Sequence, residues 1–452
     1  MKEIIEKQQL FFNSNATKSI EFRILQLKKL KKILKENEKI MNEAIYEDFK
    51  RSSFENYTAE LGLIFHEIDN ACKKVKKWAK HKKIKTNLVN MPAKSYIIPE
   101  PLGVTLVIGA WNYPYLLTLA PMVAAITAGN TVVVKPSEIP VNTSKIISNI
   151  INDNFNPEFL KVIEGGITET TQLLNQKFDK IFFTGSSAVG KIVYQAAAKN
   201  LTPVTLELGG KSPAIFTENC NLKIGIKRMI WAKFFNAGQT CLAPDYVFVH
   251  ESQKEEFLRL AVSQINKAQY SFENNNYVQI INSKNTQRII DLLDPTKIYY
   301  GGNYDLEKRY IEPTLMTNIT FQDSVMQEEI FGPILPIITY HNLEEILLKI
   351  KSLPKPLACY LFTNDSNIKN KVLNDISFGG GAINDAIMHF SNSNLPFGGV
   401  GESGTGSYHG LYGFNTFSHF KSILAKSTLF EPNLKYAPYS QSKLKIIKRL
   451  IS

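Results

Sequence analysis

Cysteine is scarce in this chain. Four occur in 452 residues, Cys72, Cys220, Cys241 and Cys359, and no two have a paired spacing. That pattern argues against a disulfide framework and a thiolate zinc cluster, and it fits a reducing, cytoplasmic compartment. The seven histidines form no HExxH or other metal-ligand grouping, so no metal is expected. The N-terminus, with Lys2, Glu3 and Glu6, lacks the apolar core of a secretory signal. Internal repeats and low-complexity tracts are absent as well. Between Glu100 and Lys135 there is no charge at all, over a length that could span a bilayer. Gly103, Gly109, Asn112, Pro114, Pro121, Gly129 and Asn130 punctuate that run, and fully buried β–α–β structure accounts for it better.

The length implies two or three domains, and an apolar content of 44% is ample for sizeable cores. Net charge is +12, with basic clusters at Lys28 to Lys35, Lys73 to Lys85 and Lys443 to Arg449. Such runs are usually the solvated faces of amphipathic helices. No nucleic-acid signature accompanies them, so no nucleic-acid partner is expected.

Up to about Lys80, apolar residues such as Ile24, Leu27, Leu30 and Leu34 recur at helical spacing, predicting two or three basic amphipathic helices. Lys85 to Pro101 reads as extended. A β–α alternation follows, with strands at Val104 to Ile108, Thr131 to Val134, Phe159 to Ile163, Lys180 to Phe183 and Val204 to Leu208. Five strands alternating with helices predict a parallel sheet of dinucleotide-binding size. This unit carries no G-x-G-x-x-G; Gly185 and Gly190 instead stand five apart after the fourth strand. An ordinary strand-to-helix turn explains them equally well, although a helix N-terminus there can hold a pyrophosphate. A second α/β region runs from Gly209, with strands near Tyr246 to His250, Ile334 to Tyr340 and Ala358 to Thr363. Phe414 to Ile423 reads as one more strand, and Lys443 to Ile451 as a short basic helix.

One stretch stands out chemically. A helical segment from Ile226 to Asn236 ends at Gly238, and Cys241 follows in Gly238-Gln239-Thr240-Cys241. A thiol just past a helix, among free backbone N–H groups, suits a covalent nucleophile. The plain alternative is a small buried hydrophobe.

Further motifs accompany it in order: Trp111-Asn112-Tyr113-Pro114, Val134-Lys135-Pro136-Ser137-Glu138, Phe183-Thr184-Gly185-Ser186, Glu207-Leu208-Gly209-Gly210-Lys211, Glu329-Ile330-Phe331-Gly332-Pro333 and Pro396-Phe397-Gly398-Gly399. Together they resemble the aldehyde dehydrogenase family over nearly the whole chain. Ala243-Pro244-Asp245-Tyr246 and the Tyr-x-Pro-Tyr-Ser tail are most similar to its class 3 branch.

The resemblance implies an α/β fold of a dinucleotide-binding parallel-sheet domain, an α/β catalytic domain and a small β bridging element. The expected divisions are N-terminal helices over 1–84, bridging strands over 85–101 and 410–430, a dinucleotide domain over 102–208, a catalytic domain over 209–409 and a tail over 431–452. A homodimer is implied too. Cys241 would be the nucleophile, Asn112 an oxyanion donor and Glu207 the general base that deacylates a thioester. NAD or NADP would be held by Lys135, Ser137 and Glu138, by Gly185, Ser186 and Gly190, by Leu208 and Gly209, and by Glu329 and Phe331. Tyr113, Trp231, Phe235 and Thr240 would line a tunnel for an apolar aldehyde, although core packing serves Trp231 and Phe235 almost equally well. Some relatives carry a hydrophobic C-terminal anchor; the sequence ends at Ser452 without one, so a soluble enzyme with no stable membrane anchor is expected. A CoA-acylating dehydrogenase is the nearest alternative, against which Glu207 argues. A non-catalytic binder of the same fold is the other, and Asn112, Glu207, Cys241 and Glu329 together argue against that.

Overall fold

The computed structural model of the protein describes residues 1–451. Its first sheet places Leu160–Val162, Thr131–Lys135, Val104–Ile108, Lys180–Thr184 and Val204–Glu207 side by side, all parallel. The short strand Gly404–Thr405 closes the far edge antiparallel. Every residue of the three middle strands is buried, which is why each reads as a continuous apolar run. Alternation sends Val107, Val132, Val134 and Phe182 to one face, against the helix Leu116–Ala128. Leu106, Ile108, Ile181, Phe183 and Leu206 go to the other, against Val193 of the helix Ser187–Ala198.

The second sheet has seven strands in the order Ile298–Tyr300, Thr314–Met316, Ile334–Tyr340, Tyr246–His250, Pro213–Phe216, Ala358–Phe362 and Gly380–Ile383. Only the first pairs antiparallel. The sequence pattern predicts just three of these, because Thr314–Met316 and Gly380–Ile383 are too short to show a period.

The N-terminal region divides into more pieces than two or three helices. Lys2–Asn13, Ile20–Glu36, Glu38–Phe49 and Gly62–Trp78 are helical, with a short helical and π-helical bend from Ser53 to Leu61. The divisions follow local capping chemistry. The Ser19 hydroxyl accepts from Phe22 N–H and the Ser52 hydroxyl from Glu55 N–H, each at 3.2 Å, and Lys50 leaves the helical region at φ 56°.

The third sheet joins Lys82–Ile84, Ala93–Pro101 and Ser418–Lys426 antiparallel. Within the stretch read as extended from Lys85 to Pro101, the strand begins only at Ala93, after a 3₁₀ turn over Leu88–Asn90. The strand expected from Phe414 to Ile423 requires correction: Gly410–Thr416 is helix, and the strand is Ser418–Lys426. Phe414 and Phe417 are buried, with their rings 6.0 Å from Trp78 and 5.9 Å from Phe182. A short apolar run does not distinguish inward-facing helix from strand. The basic helix Gln441–Ile451 has no buried residue. Among the described residues, no helix is long and apolar enough to cross a membrane.

Candidate active site

The helix before Cys241 ends at Phe234 rather than Asn236. Asn236, Ala237 and Gly238 then take left-handed conformations in succession, at φ 54°, 50° and 73°. For the two residues with a Cβ this costs about 1–3 kcal/mol each, so the surroundings must enforce it. Gln239 does so from within: its side-chain amide donates to the Asn236 and Gln279 carbonyls at 3.1 Å each and accepts from Ile281 N–H at 2.9 Å. Gly238 is required twice over, since a Cβ would also lie 2.2 Å from the Gly332 carbonyl oxygen. The turn presents Cys241 half-buried at its end.

The other chemistry-bearing residues come from the carboxyl ends of the first sheet's strands. Asn112 follows Val104–Ile108; its side-chain amide donates to the Gln239 carbonyl at 3.1 Å, two positions before the thiol. Glu207 ends its strand 3% exposed, and neither carboxylate oxygen has a hydrogen-bond partner among the described residues. Burial pushes its carboxyl well above the usual range. The Cys241 thiol is also pushed up, first by burial and then by the nearby carboxylates of Glu329 and Glu207. Both acids therefore lie near enough for their charge to act on the thiol.

The residues assigned to a cofactor occupy the same edge. Lys135 is 1% exposed; its ammonium donates to the Pro136 carbonyl at 2.7 Å and lies 3.4 Å from the exposed Glu138 carboxylate. Burial lowers its pKa. The Ser137 hydroxyl accepts from Ile139 N–H at 3.3 Å. Gly185 precedes Ser186, which caps the helix Ser187–Ala198 by accepting from Val189 N–H at 3.4 Å. Gly190 lies under Leu208, whose Cδ2 would be 2.7 Å from any Cβ there. At Gly209 a Cβ would meet the Glu329 carboxylate at 1.9 Å, so a side chain there would displace that acid from its place over the chain. Glu329 is pushed up to about 8, chiefly by burial and then by Asp245, while Gly210 N–H, Lys211 and Lys233 oppose the shift. Phe331 sits left-handed at φ 47°, its ring edge-on to Trp111 at 5.2 Å. A solvent-exposed helix N-terminus, a carboxylate–ammonium pair at the rim and a second carboxylate over a glycine suit the phosphates and two riboses of a dinucleotide.

A row of aromatic rings leads outward from the cysteine loop. The Tyr113 and Thr240 hydroxyls satisfy each other at 2.6 Å, leaving the Tyr113 ring as apolar surface. It stacks 6.4 Å from Phe235, which lies 5.2 Å from Trp231, and Trp231 is 41% exposed.

Several groups here carry no local sequence signal. Arg51 and Glu60 form a fully buried ion pair behind Asn112. Among the described residues, Lys233, 0% exposed, has no hydrogen-bond partner for its ammonium, and Tyr408 has none for its hydroxyl. The dinucleotide spacing missing from the first unit does occur later, as Gly399-Val400-Gly401-Glu402-Ser403-Gly404, but it turns into the edge strand Gly404–Thr405 and opens no helix. Among the described residues, no three histidine, cysteine or acidic side chains cluster as metal ligands.

A profile of the aldehyde dehydrogenase family matches residues 1–423. The chain belongs to that family. The 4,4'-diaponeurosporen-aldehyde dehydrogenase of Staphylococcus aureus is 48% identical over 442 residues, covering 97% of this chain and 96% of that protein. A dimeric NADP-preferring aldehyde dehydrogenase of Canis lupus familiaris is 42% identical over 441 residues, 96% of each chain. A solved substrate-bound state of Staphylococcus aureus AldH superposes with a TM-score of 0.97 at 46% identity, covering 100% of this chain and 99% of that one. The aldehyde dehydrogenase fold and the class 3 likeness read from the sequence both hold. This aldehyde dehydrogenase is an oxidoreductase that oxidises aldehydes with NAD or NADP.

Proposed function

We propose that this dehydrogenase oxidises an apolar aldehyde, medium- or long-chain aliphatic or aromatic, to its acid through a thioester on Cys241. The carrying observation is the meeting of one thiol, the Asn112 amide and the otherwise unpartnered Glu207 carboxylate at the end of an aromatic passage. The Cys241 sulfur attacks the carbonyl carbon, and the Asn112 amide with the Cys241 N–H stabilises the oxyanion. Losing one such donor costs on the order of 3 kcal/mol. A dinucleotide held by the residues named below would supply the hydride acceptor that turns the adduct into the thioester. Glu207 then takes a proton from the water that cleaves the thioester. Burial of thiol and acid favours their neutral forms, so both steps gain rate as pH rises through the raised values.

Lys135, Ser137 and Glu138 would hold the adenosine ribose, Gly185, Ser186 and Gly190 the pyrophosphate, and Leu208, Gly209, Glu329 and Phe331 the nicotinamide half. Tyr113, Thr240, Phe235 and Trp231 would line the aldehyde passage; their rings bring no charge to pair with an ionic substrate. We read 102–208 as the dinucleotide unit, 209–409 as the catalytic unit, 1–84 as helices packed on the former, 85–101 with 410–430 as the bridge, and 431–452 as a tail. The outer edge of Ser418–Lys426, with exposed Phe420 and Leu424, supports a homodimer contact. The free cysteines are consistent with a cytoplasmic, reducing setting. Reduced-nicotinamide absorbance across aldehydes of graded chain length, with NAD and with NADP, tests this reading. Efficiency should rise with apolar length; a preference for short or charged aldehydes would contradict it.

A further inference from the structure

The glycine-rich return brings Tyr408 to the sheet face that carries Glu207. Gly404 pairs with Glu207 and Thr405 with Leu206. Tyr408 is then fixed to Phe397 by two backbone bonds: its N–H donates at 2.7 Å and its carbonyl accepts at 3.0 Å. Its ring stands edge-on to Phe182 at 5.0 Å. Phe182 and Thr184 alternate onto one face of their strand, in register with Thr205 and Glu207 of the next. Tyr408, Thr184 and Glu207 therefore share a face, at 1%, 8% and 3% exposure.

None of the three has a hydrogen-bond partner among the described residues: the Tyr408 hydroxyl, the Thr184 hydroxyl and both Glu207 oxygens are unpaired. Buried polar atoms are nearly always paired, and an isolated failure costs stability. Three such groups on one face, beside the nucleophile, mark a place where polar partners are needed during the reaction. The charged or titratable groups facing Tyr408 are Glu207, Cys241 and Glu67, which with burial keep the phenol protonated and hence a donor. The adjacent His409 ring, 4.5 Å away, is held neutral by its own burial.

We propose that Tyr408, assisted by Thr184, is a positioning residue for Glu207: when the Glu207 side chain turns to take the water proton, the Tyr408 hydroxyl, unpaired among the described residues, donates to one carboxylate oxygen and aims the other at the attacking water. The inference rests on the reading of Glu207 as the deacylating base. In that step the water oxygen bonds to the thioester carbon and a water proton passes to Glu207. The carbon–sulfur bond then breaks, its electron pair returning to the Cys241 sulfur. Tyr408 keeps its proton throughout.

Tyr408→Phe retains the ring and its packing and removes only the donor. With excess aldehyde and NAD, rapid mixing should show a burst of reduced nicotinamide of unchanged rate and amplitude. The following slow phase should be about ten-fold slower, as expected for losing one hydrogen bond to a charged group. Its acid limb should move to higher pH, since the carboxylate loses a donor that favours its charged form. Thr184→Val should act in the same direction more weakly. Introduced into Glu207→Gln, Tyr408→Phe should slow deacylation no further. An unchanged slow phase and pH profile, a burst lost together with the slow phase, or equal slowing in the Glu207→Gln background would each overturn the proposal. Normal turnover of Glu207→Gln alone would instead overturn the base assignment beneath it.

Discussion

The Arg51 guanidinium donates to the backbone carbonyl of Asn112 at 2.7 Å, in a contact buried on both sides. The same nitrogen reaches the Asn236 side chain at 2.5 Å, and another pairs with Glu60. One cation from the N-terminal helical region thus ties together the Asn112 backbone and the strained turn before Cys241. Asn236 adds a second tie by donating to the Asn112 carbonyl at 3.1 Å.

Arg51→Met should therefore cost both stability and turnover. Removing one member of a buried pair typically costs about 3–5 kcal/mol, because the other charge is left unpaired. Glu60 already stands near 7, raised by burial against the opposing pull of Arg51, and would become neutral. Adding Glu60→Gln should restore much of the stability, measured by urea unfolding. It should not restore kcat, because the turn still lacks its tether. Recovery of both together would assign Arg51 a purely structural role.

Glu138 should set cofactor preference. Its exposed carboxylate lies 3.4 Å from the buried Lys135 ammonium, at the rim where a ribose would sit. A 2′-phosphate there meets a like charge, so Glu138→Gln should raise the NADP-to-NAD ratio of kcat/KM, by roughly ten-fold if about 1.4 kcal/mol of repulsion is removed. An unmoved ratio would place Glu138 away from the ribose.

The strands of the first sheet are legible in the sequence because burial on both faces makes them β-branched runs with turn residues between. Cys241, Asn112 and Glu207 stand out as candidates because each lies in or at the edge of a short, distinctive motif where a strand or helix ends. Phe414 is not legible: its apolar neighbours fit either period, and only packing against Trp78, with Phe417 just beyond it against Phe182, selects helix. Arg51 and Lys233 are invisible for another reason. Arg51 takes its meaning from Asn236, 185 positions away, and Lys233 feels the Glu329 charge from far along the chain, and no local spacing encodes either relationship.

Lys233 should impose a pH-dependent stability cost. Burial lowers its pKa from 10.5 to about 8, with Asp245 and Glu329 opposing that shift and Lys211 adding to it. Between those two values the unfolded chain holds a proton that the folded chain does not, so this group makes stability rise with pH there. Below about 8 the whole cost is present, of the order of 3 kcal/mol. Lys233→Met should be more stable than the parent at about pH 7 and lose that advantage by about pH 10. Denaturant unfolding at the two pH values measures the gap; a constant gap would mean the ammonium is paid for by partners at every pH.

The central claim is that Glu207 deacylates a thioester on Cys241, and Glu207→Gln tests it most directly. The amide cannot accept the water proton, and losing a general base costs roughly 100- to 10,000-fold. Mixed rapidly with excess aldehyde and NAD, the variant should release reduced nicotinamide in a burst approaching one per active site, then almost stop. Mass spectrometry should find the acyl group on the Cys241 peptide. If Glu207 also helps to deprotonate the buried thiol, the burst will be slower but its amplitude will remain. Normal steady-state turnover with an unmodified Cys241 peptide would contradict the account.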